Sequence, residues 1–163
     1  MKHVLMFLTF LSVCTTADLL KIPLTLDGSR TITIPNGITS FDESFTINPA
    51  DDADFQKYLD KIKGYEIESI IITPESWSGA QATKFSGSFI LPDLNNISFP
   101  INNLDLGTAS LLAMNFSTAD FVSIANSLQQ FGKLNVRFKG TLNNNSGGSL
   151  KLGIKVNLKI KVV

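Results

Sequence analysis

The sequence has few of the residues on which most enzymes depend for catalysis. Its 163 residues include one cysteine, one histidine and one tryptophan. The histidine and the cysteine, His3 and Cys14, both lie in the first fourteen residues. Export would remove His3 and would either remove or acylate Cys14, so the mature chain would have no histidine base and no free thiol, which excludes Ser-His-Asp and Cys-His catalysis and the usual transition-metal sites. We therefore expect a non-enzymatic protein with no catalytic residues, no metal and no cofactor.

Charge is also scarce, and neither sign dominates. Charged residues make up 17% of the chain, and 14 basic residues balance 14 acidic ones. Because nucleic-acid binding needs a concentrated basic surface, we expect no nucleic-acid partner. Low charge together with abundant Asn, Ser, Thr and Gly is typical of extracellular β-proteins.

The N-terminus has the layout of a secretory signal. A basic start is followed by an apolar run, Val4–Val13, which is too short to span a bilayer as a helix. A buried strand of the domain is the alternative interpretation of this run. We favour export, because a positive start at the extreme N-terminus is typical of a signal. We therefore expect residues 1–17 to be a signal and residues 18–163 to form one domain in the cell envelope or outside the cell.

Two cleavage sites fit this signal. Cleavage before Cys14 would produce a lipoprotein whose acylated cysteine tethers it to the outer membrane, although Val13 stands where a small residue is usual. Cleavage after Ala17 would release an untethered protein. Acylation would explain an otherwise unpaired cysteine in an exported protein. Cys14 is therefore the candidate lipidation site, and its lipid is the only membrane contact that we expect.

The remaining chain is rich in patterns of period two, which are typical of strands that bury one face. Leu150–Val162 alternates apolar residues mostly with lysines, and it follows a similar run at 134–142 across an Asn- and Gly-rich loop. These runs predict a C-terminal hairpin. Asp27-Gly28, between two further alternating runs, predicts another hairpin turn. Further strands are predicted at 41–47, 65–73, 81–91, 97–101 and 109–116.

Two segments have the spacing of amphipathic helices, Asp51–Lys63 and Thr118–Phe131. Ser117 and Asp120 supply a capping box for the second, and Gly132 supplies its terminator. Near the start of each, the sequence reads Ala-Asp-Phe, a weak internal repeat. We expect a mainly β, antiparallel two-sheet β-sandwich of eight or nine strands with these two short helices. An α+β fold with two similar strand-helix-strand halves is the alternative.

Trp77 is the candidate ligand-binding residue. A lone tryptophan in a loop-like stretch of an exported β-domain can serve as a platform for a sugar ring. The alternative is that Trp77 fills one end of the core and that its indole N–H donates a hydrogen bond inside the protein. The lysines of the C-terminal strand could meet anionic lipid or polysaccharide, but a solvated face that discourages edge-to-edge aggregation explains them more simply.

Two groups of carboxylates also have simpler explanations than catalysis or metal binding. Glu66 and Glu68 share a strand face, with Glu75 beyond, and two acids in one cleft can hydrolyse glycosides. Because they alternate with isoleucines, they are predicted instead to lie on the solvent-exposed face of a sheet. The aspartates that open the first predicted helix match no calcium loop, and a helix N-terminus favours acids there.

The Cys-terminated short signal, the helix sequence DDADFQKYLDKIK and the strand sequence FSGSF resemble those of uncharacterised small exported β-sandwich proteins of Bacteroidetes-type bacteria. The resemblance implies an envelope or surface location and carries over no site residues. The resulting expectation is an exported, membrane-tethered, non-enzymatic surface protein that binds a protein or polysaccharide partner or has a structural role. A carbohydrate-binding module and a carboxylate-dependent hydrolase are the alternatives.

Overall fold

The computed structural model describes residues 19–108 and 110–163. In this part of the chain two four-stranded antiparallel sheets form a sandwich, with two α-helices in the connections between strands. The predicted β-sandwich with two short helices is confirmed. The predictions for residues 1–17, including the signal and the acylation of Cys14, lie outside the described residues.

Eight strands build the two sheets. In chain order they are β1 (Leu20–Ile34), β2 (Ser40–Ile47), β3 (Ile62–Trp77), β4 (Lys84–Leu91), β5 (Ile97–Asp105), β6 (Leu112–Ala113), β7 (Leu134–Leu142) and β8 (Gly148–Val162). β3 continues beyond its expected end at Pro74, because a register shift follows this proline and a bulge tolerates its missing N–H. The strand expected at 109–116 is reduced to the two residues of β6.

The strand order follows one simple rule. β1 pairs with β8, β2 with β7, β3 with β6, and β4 with β5, as if one long hairpin had been wound around the core. β8 also pairs with β3, and β7 with β4, which completes the orders β1-β8-β3-β6 and β2-β7-β4-β5. An eight-stranded double sheet connected in this way is a jelly roll.

The core lies between the sheets and is built from alternate residues of the long strands. Ile72, Phe138 and Ile154 are fully buried, and burial of such side chains is the main stabilising contribution to a fold of this size. Phe85 and Phe138 stack with their ring centroids 4.4 Å apart. Beneath the Phe85 ring, β4 and β7 approach closely at a facing pair of glycines.

The predicted hairpin turn at Asp27-Gly28 is wrong. β1 continues through both residues, and Gly28 lies opposite Ile154 of β8. Glycine fits here because the two sheets lie close together at this position. A Cβ on Gly28 would lie 2.9 Å from Cγ1 of Ile47 in the other sheet. The Asp-Gly pair therefore reflects contact between the sheets and not a change of chain direction.

The predicted C-terminal hairpin is also wrong, although both of its strands exist. β7 belongs to one sheet and β8 to the other, so the loop between them crosses from sheet to sheet. The alternation of β8 is confirmed, since its apolar residues are buried and Lys151 and Lys155 face outward. Period two reveals which face of a strand is buried, but it does not reveal which strand lies beside it.

The second predicted helix is confirmed as α2 (Thr118–Phe131). Ser117 and Asp120 form the capping box, and Gly132 follows in the left-handed conformation with φ 65°. α2 packs against β3. In the described part of the chain, neither α-helix has the length and apolarity to cross a bilayer.

The first predicted helix, Asp51–Lys63, is wrong as a continuous element. This segment contains a 3₁₀ turn at Pro49–Asp51, the four-residue α1 (Ala53–Gln56) and a second 3₁₀ turn at Leu59–Lys61. The helix ends because Tyr58 adopts φ −123° and the chain must enter β3 soon afterwards. We call residues 48–63 the connector segment.

Candidate functional site

The outer face of the β1-β8-β3-β6 sheet carries the lysines of the C-terminal strand. Three of them form ion pairs with carboxylates of neighbouring strands. The pairs are Lys151–Glu75 at 2.7 Å, Lys155–Asp27 at 3.7 Å and Lys159–Glu68 at 2.5 Å. Since β8 lies between β1 and β3, acids reach its lysines from both sides. Most of the positive charge on this face is therefore matched, as expected for a solvated sheet surface.

β3 has three bulges, and each presents a charged side chain. Lys63, Glu68 and Glu75 are the extra residues at the register shifts against β8. A bulge redirects a side chain from the position that regular pairing would give it. Two of these residues, Glu68 and Glu75, reach lysines of β8. The spacing of the acids in the sequence could not reveal these pairs, because they depend on register.

Each of the glutamates considered for catalysis is held by its own lysine. Glu66 accepts a hydrogen bond from Lys21 at 2.7 Å, and this bond holds the pKa of Glu66 below its usual value. A carboxyl group with a lowered pKa is ionised at neutral pH, so Glu66 is not tuned to act as a general acid. Glu68 and Glu75 are engaged in the ion pairs described above.

A cleft of about 580 Å³ on this face brings together acids from three elements. It is lined by Asp27 of β1, Asp52 and Asp54 at the start of α1, and Glu68 of β3. Asp52 caps α1 by accepting a hydrogen bond from the Asp54 N–H at 2.8 Å, and Asp54 pairs with Lys57 at 2.6 Å. In the sequence these acids lie in separate segments, so their proximity was not predicted. Within residues 19–108 and 110–163, no group of three His, Cys, Asp or Glu is arranged to hold a metal ion.

Both sheets have outward-facing hydrogen bonds between neighbouring strands. Thr25 Oγ1 donates to Asn157 Oδ1 at 2.9 Å between β1 and β8, and Thr46 Oγ1 donates to Asn135 Oδ1 at 2.6 Å between β2 and β7. On the second sheet Arg137 donates two hydrogen bonds to Asp42, at 2.6 and 2.5 Å, which lower the pKa of Asp42. The polar side chains of both faces thus mainly tie strands to one another.

Trp77 lies at the end of β3 and is half-buried. Its indole Nε1 donates a hydrogen bond to the carbonyl oxygen of Ala80 at 2.9 Å. The ring packs against the backbone at Gly79 and Gly148, and a Cβ on Gly148 would lie 2.7 Å from Trp77 Cη2. This geometry is that of a packed side chain with a satisfied N–H. Ligand binding by Trp77 stays a prediction.

No protein-family model and no curated protein matches the chain. Among solved structures it is similar to a decameric BFDV capsid protein, with a TM-score of 0.46 and 9% identity over 87% of this chain and 100% of that chain. It is also similar to Desmodium yellow mottle tymovirus (TM-score 0.32, 11% identity, 99% and 96% coverage) and turnip yellow mosaic virus (0.34, 9%, 86% and 94%). These are distant likenesses, and the jelly-roll assignment stands on the strand order.

These findings overturn the expected function. We expected a membrane-tethered surface protein of a bacterial envelope, yet the three solved structures named above come from viruses. The physical reason for the error is that low charge and alternating strands are shared by many β-sandwiches, whatever their location. Those features identified the sandwich but not the class of protein that uses it.

Proposed function

We propose that the chain is a structural subunit that assembles with further copies of itself into a capsid-type shell. The strand order β1-β8-β3-β6 and β2-β7-β4-β5 is the observation that carries this proposal. Jelly rolls with this order recur in viral capsid proteins, in lectins and in cupins. The proposal keeps the expectation that the protein is not an enzyme.

The use of the polar side chains favours a structural subunit over the other jelly-roll classes. The carboxylates of the outer face are engaged by lysines, and the indole N–H of Trp77 is used within the chain. These groups therefore strengthen the sandwich. A lectin or a cupin would instead direct such groups towards a sugar or a metal.

The exposed apolar side chains also support assembly. In the described part of the chain, five large ones are more than half exposed; they lie at the start of β1, on α2, in the connection between β5 and β6, and at the last residue. They are Leu20, Leu111, Val122, Phe131 and Val163. Contacts between copies would remove apolar surface of this kind from water.

Sedimentation velocity and electron microscopy of the purified full chain test the proposal. We expect closed particles of many copies to form as the concentration rises. Leu111, which is 72% exposed, offers a variant that leaves the core untouched. Leu111→Asp is expected to keep the β-rich circular dichroism spectrum and to reduce assembly. A wild-type chain that stays monomeric at every concentration and ionic strength would contradict the proposal.

A further inference from the structure

The connector segment, residues 48–63, runs from β2 into the first two residues of β3 and separates its charges along its length. Three aspartates occupy its first half. Three lysines occupy its second half, together with one further aspartate. In chain order the charged residues are Asp51, Asp52, Asp54, Lys57, Asp60, Lys61 and Lys63. The segment therefore has an acidic end and a basic end.

Buried anchors hold this segment so that its charges face outward. Phe55 is completely buried and Pro49 is buried as well. The helical turns around these anchors leave most of the charged side chains in solvent. Leu59, between the first lysine and the last two, is 38% exposed. The outward surface thus combines separated charges with an apolar side chain.

The two ends lie beside different parts of the β1-β8-β3-β6 sheet, whose Asp27 and Glu68 are already paired with lysines of β8. The acidic end lines the cleft that also contains Asp27 and Glu68. The basic end lies beside the end of β8, where Lys161 is opposite Gly64. Leu20 of β1 pairs with this same end of β8.

The charges nearest the two ends are available for a partner. In the described part of the chain, Asp51, Lys61 and Lys63 form no ion pair, in contrast to the paired lysines of β8. Leu20 and Val163, which flank the basic end, are 63% and 68% exposed. A partner that fits this surface would offer a basic group to one end, an acidic group to the other, and apolar contacts between them.

A second copy of this chain has that chemistry. We propose that two copies associate through their connector segments about a two-fold axis, so that the acidic end of each faces the basic end of the other. In such a contact the same patch serves both subunits, and every pair of opposite charges occurs twice. This inference rests on the proposed function, because it names one of the contacts by which the copies would assemble.

Charge reversal offers a sharp test. One variant, Lys61→Glu with Lys63→Glu, makes both ends acidic. The other, Asp51→Lys with Asp54→Lys, makes both ends basic and keeps the Asp52 cap of α1. For each variant alone, the dissociation constant of the two-copy contact should rise at least about tenfold above that of the wild type, because like charges now face each other. An equimolar mixture should restore the association, because the two patches are again complementary.

Sedimentation velocity at low and high salt measures these outcomes, with circular dichroism to verify folding. Lys84→Glu with Lys133→Glu is the control for the acidic variant, since it lowers the net charge by the same amount at exposed lysines elsewhere and should behave as the wild type. Salt should weaken the wild-type contact, because exposed charges are screened. If both variants associate like the wild type, or if their mixture does not, the inference is wrong while assembly itself still stands. Absence of any wild-type association would contradict the proposed function as well.

Discussion

The two connections that contain the sequence Ala-Asp-Phe fold in different ways. Both place acids and apolar residues at the spacing of an amphipathic helix. The second becomes α2, a regular helix of 14 residues, whereas the first becomes the connector segment with its three short turns. The difference shows that a helical pattern is insufficient when the chain lacks signals that extend the helix.

Caps and buried anchors account for the difference. α2 has a capping box at its start, Gly132 at its end, and Ile124 and Leu128 buried one turn apart. In the connector segment, α1 has Phe55 as its single buried side chain, and the chain must join β3 at Ile62. Short helices depend on tertiary packing along their length for most of their stability. With one anchor, only one turn of α-helix forms.

Removal of the Phe55 side chain, which anchors α1, should have the largest effect. Phe55→Ala is expected to lower the free energy of unfolding by about 3–5 kcal/mol, because it leaves a cavity under the connector segment. Leu128→Ala in α2 should cost about 2–4 kcal/mol, since Ile124 still holds that helix. Urea unfolding of both variants measures the difference. A cost below that of Leu128→Ala would contradict the view that Phe55 is the main anchor of its segment.

Loss of the caps should have a smaller effect that again differs between the two regions. Ser117→Ala removes a capping box and should cost about 1–2 kcal/mol together with some helical circular dichroism signal. Asp52→Ala removes the cap of a four-residue helix and should cost about 0.5–1 kcal/mol, with little spectral change. Equal loss of helical signal in the two variants would show that the connector segment is more helical than the structure indicates.

The smallest effect concerns the pH dependence of the connector segment. A hydrogen bond to Asp54 raises the pKa of Lys57 above its usual value. Because the raised value belongs to the folded state, the pair stabilises the fold below the unfolded-state pKa, and this contribution is lost as the pH rises through the folded-state pKa. The stability difference between wild type and Lys57→Met should therefore shrink at strongly alkaline pH. A difference that grows between pH 8 and 12 in urea titrations would contradict this prediction.

Local signals in the sequence predicted α2 and the burial pattern of β8. The cap residues around Ser117 and the alternation in Leu150–Val162 act over a few positions, so both are readable from the chain. Gly28 was misinterpreted because its role depends on Ile47, which lies in the other sheet. Turn formation and close approach both select glycine, and the sequence alone does not separate them.

The pairing of strands and charges could not be predicted from local patterns. β7 and β8 are adjacent in the chain but lie in different sheets, and Asp27 meets Lys155 only because β1 and β8 are neighbours. The bulge at Glu68 changes which side chains meet across β3 and β8. The outer face of the sheet, its acidic cleft and the surroundings of the connector segment all depend on these long-range pairings. They could therefore not be predicted from the sequence.

Oxidative cross-linking of paired cysteines tests the strand order most directly, in full-length protein that carries Cys14→Ser. Thr25 and Asn157 face each other across β1 and β8, so Thr25→Cys with Asn157→Cys should form a disulfide within one chain. Asn135→Cys with Asn157→Cys should stay reduced, because β7 and β8 lie in different sheets. A C-terminal hairpin would bring Asn135 close to Asn157. A disulfide in that second pair, without one in the first, would contradict the jelly-roll order and the function proposed from it.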